Sequence, residues 1–397
     1  MLISCADKEN YRFKIESANG LPPLMPIVLD LKQIGVLDRG PMGNRVLLQA
    51  GNPIPFQMDT VLRQISFVHR PENGEDYEFA ELGVPMDTIT RIRATRDGDD
   101  LKLTDGPASL LTYRYGMAYP PRGVDSVYAK SGFIHPLISP SGDTLTRIQP
   151  PDHYHHYGIW GPWTHTQIEG EQVDFWNLVK GQGTVLFKKF NGIFSGAVYG
   201  GFNVRQEHIR LRAMEGERVA LNEDLDVRLW GQDRHDRYLV DYTSTFSTPL
   251  KSGILFEAYR YGGGMGMRFT ERWHRDNCTV LTSEGNDRLT ADGTNARWCM
   301  VTGESADGNG TNGVLFLSHP ENRSHPEPMR VWPIDANGGR GDMFFEFSPI
   351  RHEEWRIEPG NTYRLKYRMV VFEGKLSVEE AEAYWKGFAE KPTLINE

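Results

Sequence analysis

Apolar and polar residues alternate with a period of two along most of the chain. The clearest instance is Tyr363-Arg364-Leu365-Lys366-Tyr367-Arg368-Met369-Val370-Val371, apolar on one face and basic on the other, as a half-buried antiparallel strand requires. Comparable runs at 45–49, 61–69, 88–95, 110–115, 184–188, 218–230, 238–246, 253–261, 313–318 and 343–347 predict further strands. Turn signals separate them: Asp97-Gly98-Asp99-Asp100, Pro140-Ser141-Gly142, Asn191-Gly192, Asp307-Gly308-Asn309-Gly310 and Pro359-Gly360-Asn361. Many short strands at near-regular spacing predict an all-β sandwich or barrel, with more than ~35% strand and less than ~15% helix against the usual ~20–25% strand. One helix is expected near the end. Ser377 and Glu380 form a capping box, Ala381, Tyr384, Trp385 and Phe388 make one apolar stripe, and Pro392 stops it. That stripe reads as a lid packed on a sheet. No internal repeat or linker interrupts the pattern, so a β-unit over residues 1–105, part of the same sandwich, and a main sandwich over 106–397 are expected.

Composition supports this picture: 41 Gly and 24 Pro in 397 residues favour turns over long helices. Lys and Arg number 44 against 53 Asp and Glu, a net charge of −9, with no basic block, which argues against a nucleic-acid partner. A small neutral molecule is the expected partner, bound by a monomer or a homo-oligomer. No apolar run approaches the ~20 residues of a membrane-spanning helix, so no membrane partner is expected. Cys5, Cys278 and Cys299 contain no CxxC pair and suggest neither a disulfide framework nor a zinc knuckle, which fits a reducing cytoplasm. Leu2-Ile3-Ser4-Cys5 resembles a lipoprotein cleavage box but lacks the charged and apolar stretches before it. A periplasmic location follows only if the true start lies upstream.

Histidine is unevenly spread. Five of the 12, His135, His153, His155, His156 and His165, crowd into one segment too rich in Gly, Pro and Trp to be a helix. Each buried imidazole needs a partner, so packing alone is a poor reason for three of them in four positions. If the segment runs extended, His153 and His155 share a face and can hold a divalent metal ion, while His156 points away. Asp152, His135 or a distant carboxylate would complete such a shell. Alternatively no cofactor is bound and a histidine serves as general acid or base, or some imidazoles cap loops. Trp160, Trp163 and Trp176, beside Tyr154 and Tyr157, offer faces on which a pyranose ring can stack. Two further polar stretches carry candidates: 281–299, with Glu284, Asp292 and Arg297, and 318–333, with His319 and His325. Pro beside His and Glu in the latter fixes the loop backbone. Gly262-Gly263-Gly264-Met265-Gly266 lacks the helix and acidic partner of a nucleotide loop and reads as a tight turn or a glycine-floored cleft.

Together, SGFIHPLISPSG, PPDHYHHYGIW, VDFWN, YGGGMGMRF, LTSEG, ADGTNARWC, HPEPMRVWP and YRMVVFEGKLSVEEAEAYWKGFA resemble the PmoA-like family, from Gly132 to Ala389. The resemblance implies a galactose-mutarotase-like β-supersandwich and carries no agreed activity. Methane oxidation, suggested by the family's label, needs membrane helices that the sequence does not predict. Tyr157 stands where the family pattern often has Arg.

The resulting expectation is a carbohydrate-active enzyme that cleaves a glycoside or modified sugar, by hydrolysis or β-elimination, through His and carboxylate proton transfer. The alternatives are an aldose mutarotase or epimerase, and a non-catalytic sugar-binding protein. His155, His156, Glu284 and His325 are the expected acid/base set. Trp160, Trp176, Asp292, Arg297, His135 and His319 are expected to hold the sugar.

Overall fold

A computed structural model of the protein describes residues 10–16, 24–36, 45–81, 90–161, 163–213, 216–231, 235–390 and 392–396. Cys5 with its surrounding box, and positions 88 and 89 of one expected strand, lie outside the described residues. The fold is all-β, 52% strand and 7% helix, as the alternation predicts. No helix among the described residues is long and apolar enough to cross a membrane.

Two large antiparallel sheets face each other. One has eight strands in the spatial order Gly183–Phe194, Tyr199–Ala213, Gly216–Trp230, Arg237–Ser247, Tyr363–Glu373, Thr311–Ser318, Trp298–Glu304 and Cys278–Thr282. The other has nine, ordered Asn295–Ala296, Glu327–Val331, Phe344–Phe347, Gly266–Arg268, Ile159–Trp160, Phe133–Leu137, Ala108–Arg114, Asp100–Asp105 and Ile92–Asp97. Between them lies one core, with Val204, Val227, Val240 and Met369 from the first sheet against Leu111, Ile134, Ile159, Met267 and Phe345 from the second. Burying each such side chain contributes roughly 1.5–3 kcal/mol.

A smaller pair of sheets forms the N-terminal unit around Phe13, Ile27, Leu47, Phe67 and Phe79. Its five-stranded sheet includes the end of the chain: Thr393–Asn396 pairs antiparallel with Tyr11–Glu16. The strands on both sides of the Asp97 to Asp100 turn belong to the nine-stranded sheet. The change of sheet therefore falls before Ile92, earlier than residue 105.

The helix Val378–Ala389 begins at Ser377, whose side chain accepts from Glu380 N–H at 3.1 Å, while the Glu380 carboxylate accepts from Ser377 N–H at 2.9 Å. Its stripe lies on the outer face of the eight-stranded sheet, with Ala381 and Tyr384 buried against Trp298, Leu317 and Phe372. One expected strand is cut short. Of residues 253–261 only Ile254–Phe256 pairs, because Tyr259 to Tyr261 turn away into three successive glycines with positive φ, Gly262 to Gly264. At Gly263 a Cβ would sit 2.1 Å from the Trp163 ring.

Candidate active site

Successive side chains of the nine-stranded sheet point to opposite faces. Ile134, Ile159, Met267 and Phe345 enter the central core, whereas Phe133, Trp160 and Phe344 build a second apolar layer on the outer face with Trp176 and Trp332. The segment joining Phe133–Leu137 to Ile159–Trp160 folds back over that layer.

This segment is turned rather than extended. After Pro150-Pro151, His153 N–H donates to Pro150 C=O at 2.9 Å and His156 N–H to His153 C=O at 3.0 Å. Gln149 N–H to His156 C=O (2.8 Å) and Gly158 N–H to Arg147 C=O (2.9 Å) close its base. Gly158 has φ +57°, and a Cβ there would lie 2.2 Å from the Ile134 carbonyl oxygen. Tyr157 anchors the base by donating to Tyr128 C=O. The expectation that His156 faces away from His153 and His155 is therefore corrected. Two consecutive turns curl the chain, and one ligand atom from each of the three imidazoles lies within 4.8 Å of the others.

The three differ in surroundings. His153 is half-buried, its Nδ1 2.8 Å from Asp152 Oδ2. Asp152 also accepts from Arg268 Nη2 at 2.7 Å. Burial pushes this carboxyl up, but hydrogen bonds from His153 and Arg268 and the charge of Arg268 outweigh it, so Asp152 stays well below the usual carboxylate range. Arg268 is fully buried over the Trp332 ring at 4.6 Å. Burial, reinforced by His153, pushes His155 down to about 4. Burial and then Arg268 hold His156 well below the ordinary histidine value. His156 is enclosed by Trp160, Trp176, Trp332 and Phe344 at ring separations of 5.2–5.7 Å, and its buried Nδ1 has no hydrogen-bond partner.

The three histidines form one wall of a cavity of about 210 Å³ completed by Thr164, Trp176, Asn177, Tyr259, Arg260, Tyr261 and Trp332. No carboxylate lines it among the described residues. Trp176 is fixed by Asp174, which accepts from the Trp176 and Asn177 backbone N–H groups at 2.9 and 2.8 Å, and its indole Nε1 is buried without a partner. The Tyr261 oxygen accepts from Arg330 Nη2 and Trp332 Nε1, both at 3.0 Å. With both lone pairs engaged, its own proton is left to donate. Tyr261 was not singled out in the sequence, since its partners lie some 70 positions away. Glu346, missed for the same reason, is buried behind this wall. Its Oε1 accepts from Gly262 N–H at 3.0 Å, its Oε2 has no partner, and burial raises its pKa well above the ordinary value.

Of the residues expected at the site, the cavity gathers His153, His155, His156 and Trp176. Trp160 is packed beneath His156, 5% exposed. Asp292 stands two contacts behind, its carboxylate 2.8 Å from Arg330, which in turn reaches Tyr261, and 3.0 Å from Arg351. His135 turns its Nδ1 to Thr146 Oγ1 at 2.9 Å and is not in the lining. Glu284 is on an exposed turn beside Ser283. Arg297, His319 and His325 dock the helix on the opposite outer face. Arg297 pairs with Glu382 at 3.1 Å, His319 meets Phe388 edge-on, and His325 lies parallel to Trp385. The central core separates these three from the cavity.

Residues 100–386, well over half of the chain, match the model of DUF6807, described as a family of unknown function. That match carries no PmoA-like name, so the PmoA resemblance rests on the quoted motifs. No curated protein matches the sequence. Similar solved structures include the heparan sulfate lyase HepC from Pedobacter heparinus (9% identity, TM-score 0.35, covering 74% of this chain and 38% of that one). The GH36 α-galactosidase AgaA from Geobacillus stearothermophilus is another (11%, 0.35, 72% and 41%). A third is a galactose mutarotase related enzyme from Lactobacillus acidophilus (9%, 0.33, 72% and 100%). The chain spans about two fifths of the length of the lyase and of the galactosidase.

Proposed function

Taking as premise that the chain belongs to the DUF6807 family, we propose that it is a carbohydrate-active enzyme that receives one sugar unit in the histidine cavity and cleaves or rearranges it by proton transfer next to a carbonyl. The observation that carries this reading is the lining itself. Trp176, Trp332, Tyr259 and Tyr261 offer ring faces, while Asn177, Arg260 and the unpartnered Trp176 Nε1–H offer donors to hydroxyl, carbonyl or carboxylate oxygens. At about 210 Å³ the space is below the ~300–1,000 Å³ of sites for drug-sized ligands, which suits a single ring or the terminal unit of a glycoside.

The chemistry follows from what the wall contains. Most glycoside hydrolases flank the scissile bond with two carboxylates, and this lining has none. β-Elimination from an oxidised sugar, or epimerisation beside its carbonyl, instead needs a base for the proton next to the carbonyl, which an imidazole of the wall kept neutral by burial can supply, donors at the carbonyl oxygen, and an acid for the leaving oxygen or the returning proton. Tyr261 is placed to be that acid. Its hydroxyl accepts from Arg330 and Trp332, which leaves its own proton available for a substrate oxygen in the cavity.

The test is a panel of uronosides, keto-sugars and unmodified glycosides. Turnover of the carbonyl-bearing compounds is expected, with solvent deuterium incorporated next to the carbonyl. Tyr261→Phe should lower kcat per folded molecule by about 10²–10⁴-fold with binding little changed, alongside a lower melting temperature because Arg330 and Trp332 lose their acceptor. Hydrolysis of unmodified glycosides that Tyr261→Phe leaves intact would overturn the reaction class, and saturable binding without turnover would make this a sugar-binding protein.

A further inference from the structure

We infer that His153, His155 and His156 form a three-imidazole centre for one divalent transition-metal ion of the zinc type, with Asp152 and Arg268 as its outer support. The inference rests on the same cavity being the reactive site and names the group that would act there.

Four observations converge. First, the ligand atoms of the three imidazoles lie within 4.8 Å of one another. Two nitrogens on a tetrahedral ion stand about 3.3 Å apart, from bonds of ~2.0–2.1 Å, and modest rotation of the rings closes that difference. Second, His153 gives its Nδ1 to a carboxylate, Asp152, at 2.8 Å. This leaves Nε2 for an ion and reproduces the carboxylate–histidine–metal arrangement that fixes ring orientation and raises ligand basicity. Asp152 is itself pinned by Arg268, and that guanidinium also faces Asp342 at 3.5 Å, so its charge is matched before any ion arrives. Third, the buried Nδ1 of His156, a residue only 1% exposed, has no partner. A polar atom so placed costs about 1–3 kcal/mol unless something binds it. Fourth, the loop bearing all three is closed at its base by backbone hydrogen bonds, so the backbone that carries the donors is held before the ion binds.

Three neutral nitrogen ligands with no carboxylate in the inner set favour zinc, cobalt, nickel or copper over calcium or magnesium. Three protein ligands with an open fourth position on a cavity are the pattern of catalytic rather than structural sites. When bound, such an ion polarises a substrate carbonyl and acidifies a bound water.

The experiment uses the full chain, stripped with chelator and titrated with cobalt(II) alone, reading the visible d–d absorption, with zinc competition to set the affinity. One ion per chain is expected. His153→Ala, His155→Ala and His156→Ala should each weaken binding at least about 100-fold, and Asp152→Asn about 10–100-fold. His319→Ala, on the opposite face, should bind as the parent does. His155→Gln, at a position less deeply buried than His156, keeps the test alive if an alanine variant fails to fold. Absence of cobalt absorption in the parent protein, or equal affinity in the folded histidine variants, would overturn the centre. The two readings fail separately. Sugar turnover indifferent to EDTA in a metal-free protein removes the ion and leaves the imidazoles as acid and base. A tightly bound ion with no sugar bound or turned over removes the carbohydrate reading and keeps the metal.

Discussion

Trp160 and Trp176 look interchangeable in the sequence, yet the sheet gives them different work. Trp160 alternates with Ile159 and lies under His156, so Trp160→Ala should open a void and destabilise the protein by ~3–5 kcal/mol, read as a lower denaturation midpoint. A stable Trp160→Ala variant with weakened sugar binding would instead put this ring in contact with substrate. Trp176 lines the cavity, and its buried Nε1–H has no partner. Trp176→Phe keeps most of the packing and removes the donor, and should weaken binding of the cognate sugar by about 1 kcal/mol, roughly fivefold, with little change in melting temperature. A calorimetric titration checks it. Glu327, which lies between the two sheets, makes a pH prediction. Burial raises its pKa from 4.5 to about 7 against the pull of Ser318, Asn322 and Tyr367. The folded protein therefore holds a proton that the unfolded chain releases. Stability should fall as pH rises from about 4.5 to about 7, by on the order of 3 kcal/mol, and then level off. Glu327→Gln should flatten that slope in denaturant midpoints taken across the window, and an unchanged slope would assign it to other groups.

At the level of elements, two local signals carry predictions of their own. Ser377→Ala removes the cap of the helix Val378–Ala389 and should cost about 1 kcal/mol. Gly263→Ala has to fit a methyl against Trp163 at positive φ and should cost ~2–4 kcal/mol. Chemical denaturation of the two variants ranks them, and a harmless Gly263→Ala would mean that the turn can move off Trp163. The helix was fully legible because its capping box and stripe are local. The strand Tyr199–Ala213 was not, although it is among the longest. Its inward residues include Gln206, His208 and Arg210, and the Nε2 of His208 pairs with Glu223 of the neighbouring strand at 2.9 Å, so a buried face reads as polar. The histidine segment was recognised as chemical, but its shape was misjudged. A period of two sets His156 opposite His153 and His155, whereas Pro150-Pro151 and i→i+3 hydrogen bonds impose turns that bring all three together. Arg297, His319 and His325 stand in polar stretches, the latter two in a Pro-fixed loop, that read as site loops, whereas their partners on the helix place them on the far face.

At the scale of the whole molecule, two cores are joined by one chain. The sandwich has its own apolar interior, and the N-terminal unit has another, completed at its edge by Thr393–Asn396. Truncation after Glu390 should therefore strip hydrogen-exchange protection from the amides of Tyr11–Glu16 while leaving those of Arg237–Ser247 slow. Equal loss in both would show that the cores open as a single cooperative unit. The same pairing sets an order of events during biosynthesis. At ~5–20 residues per second, the ribosome emits Tyr11–Glu16 some tens of seconds before its edge partner exists. Throughout that interval the nascent chain carries a sheet with one unfilled side, the kind of template that recruits a stray strand from a neighbouring polypeptide. Until Thr393–Asn396 is made, the early sheet depends on crowding and chaperones for protection in a way that the equilibrium stability of the finished fold does not describe.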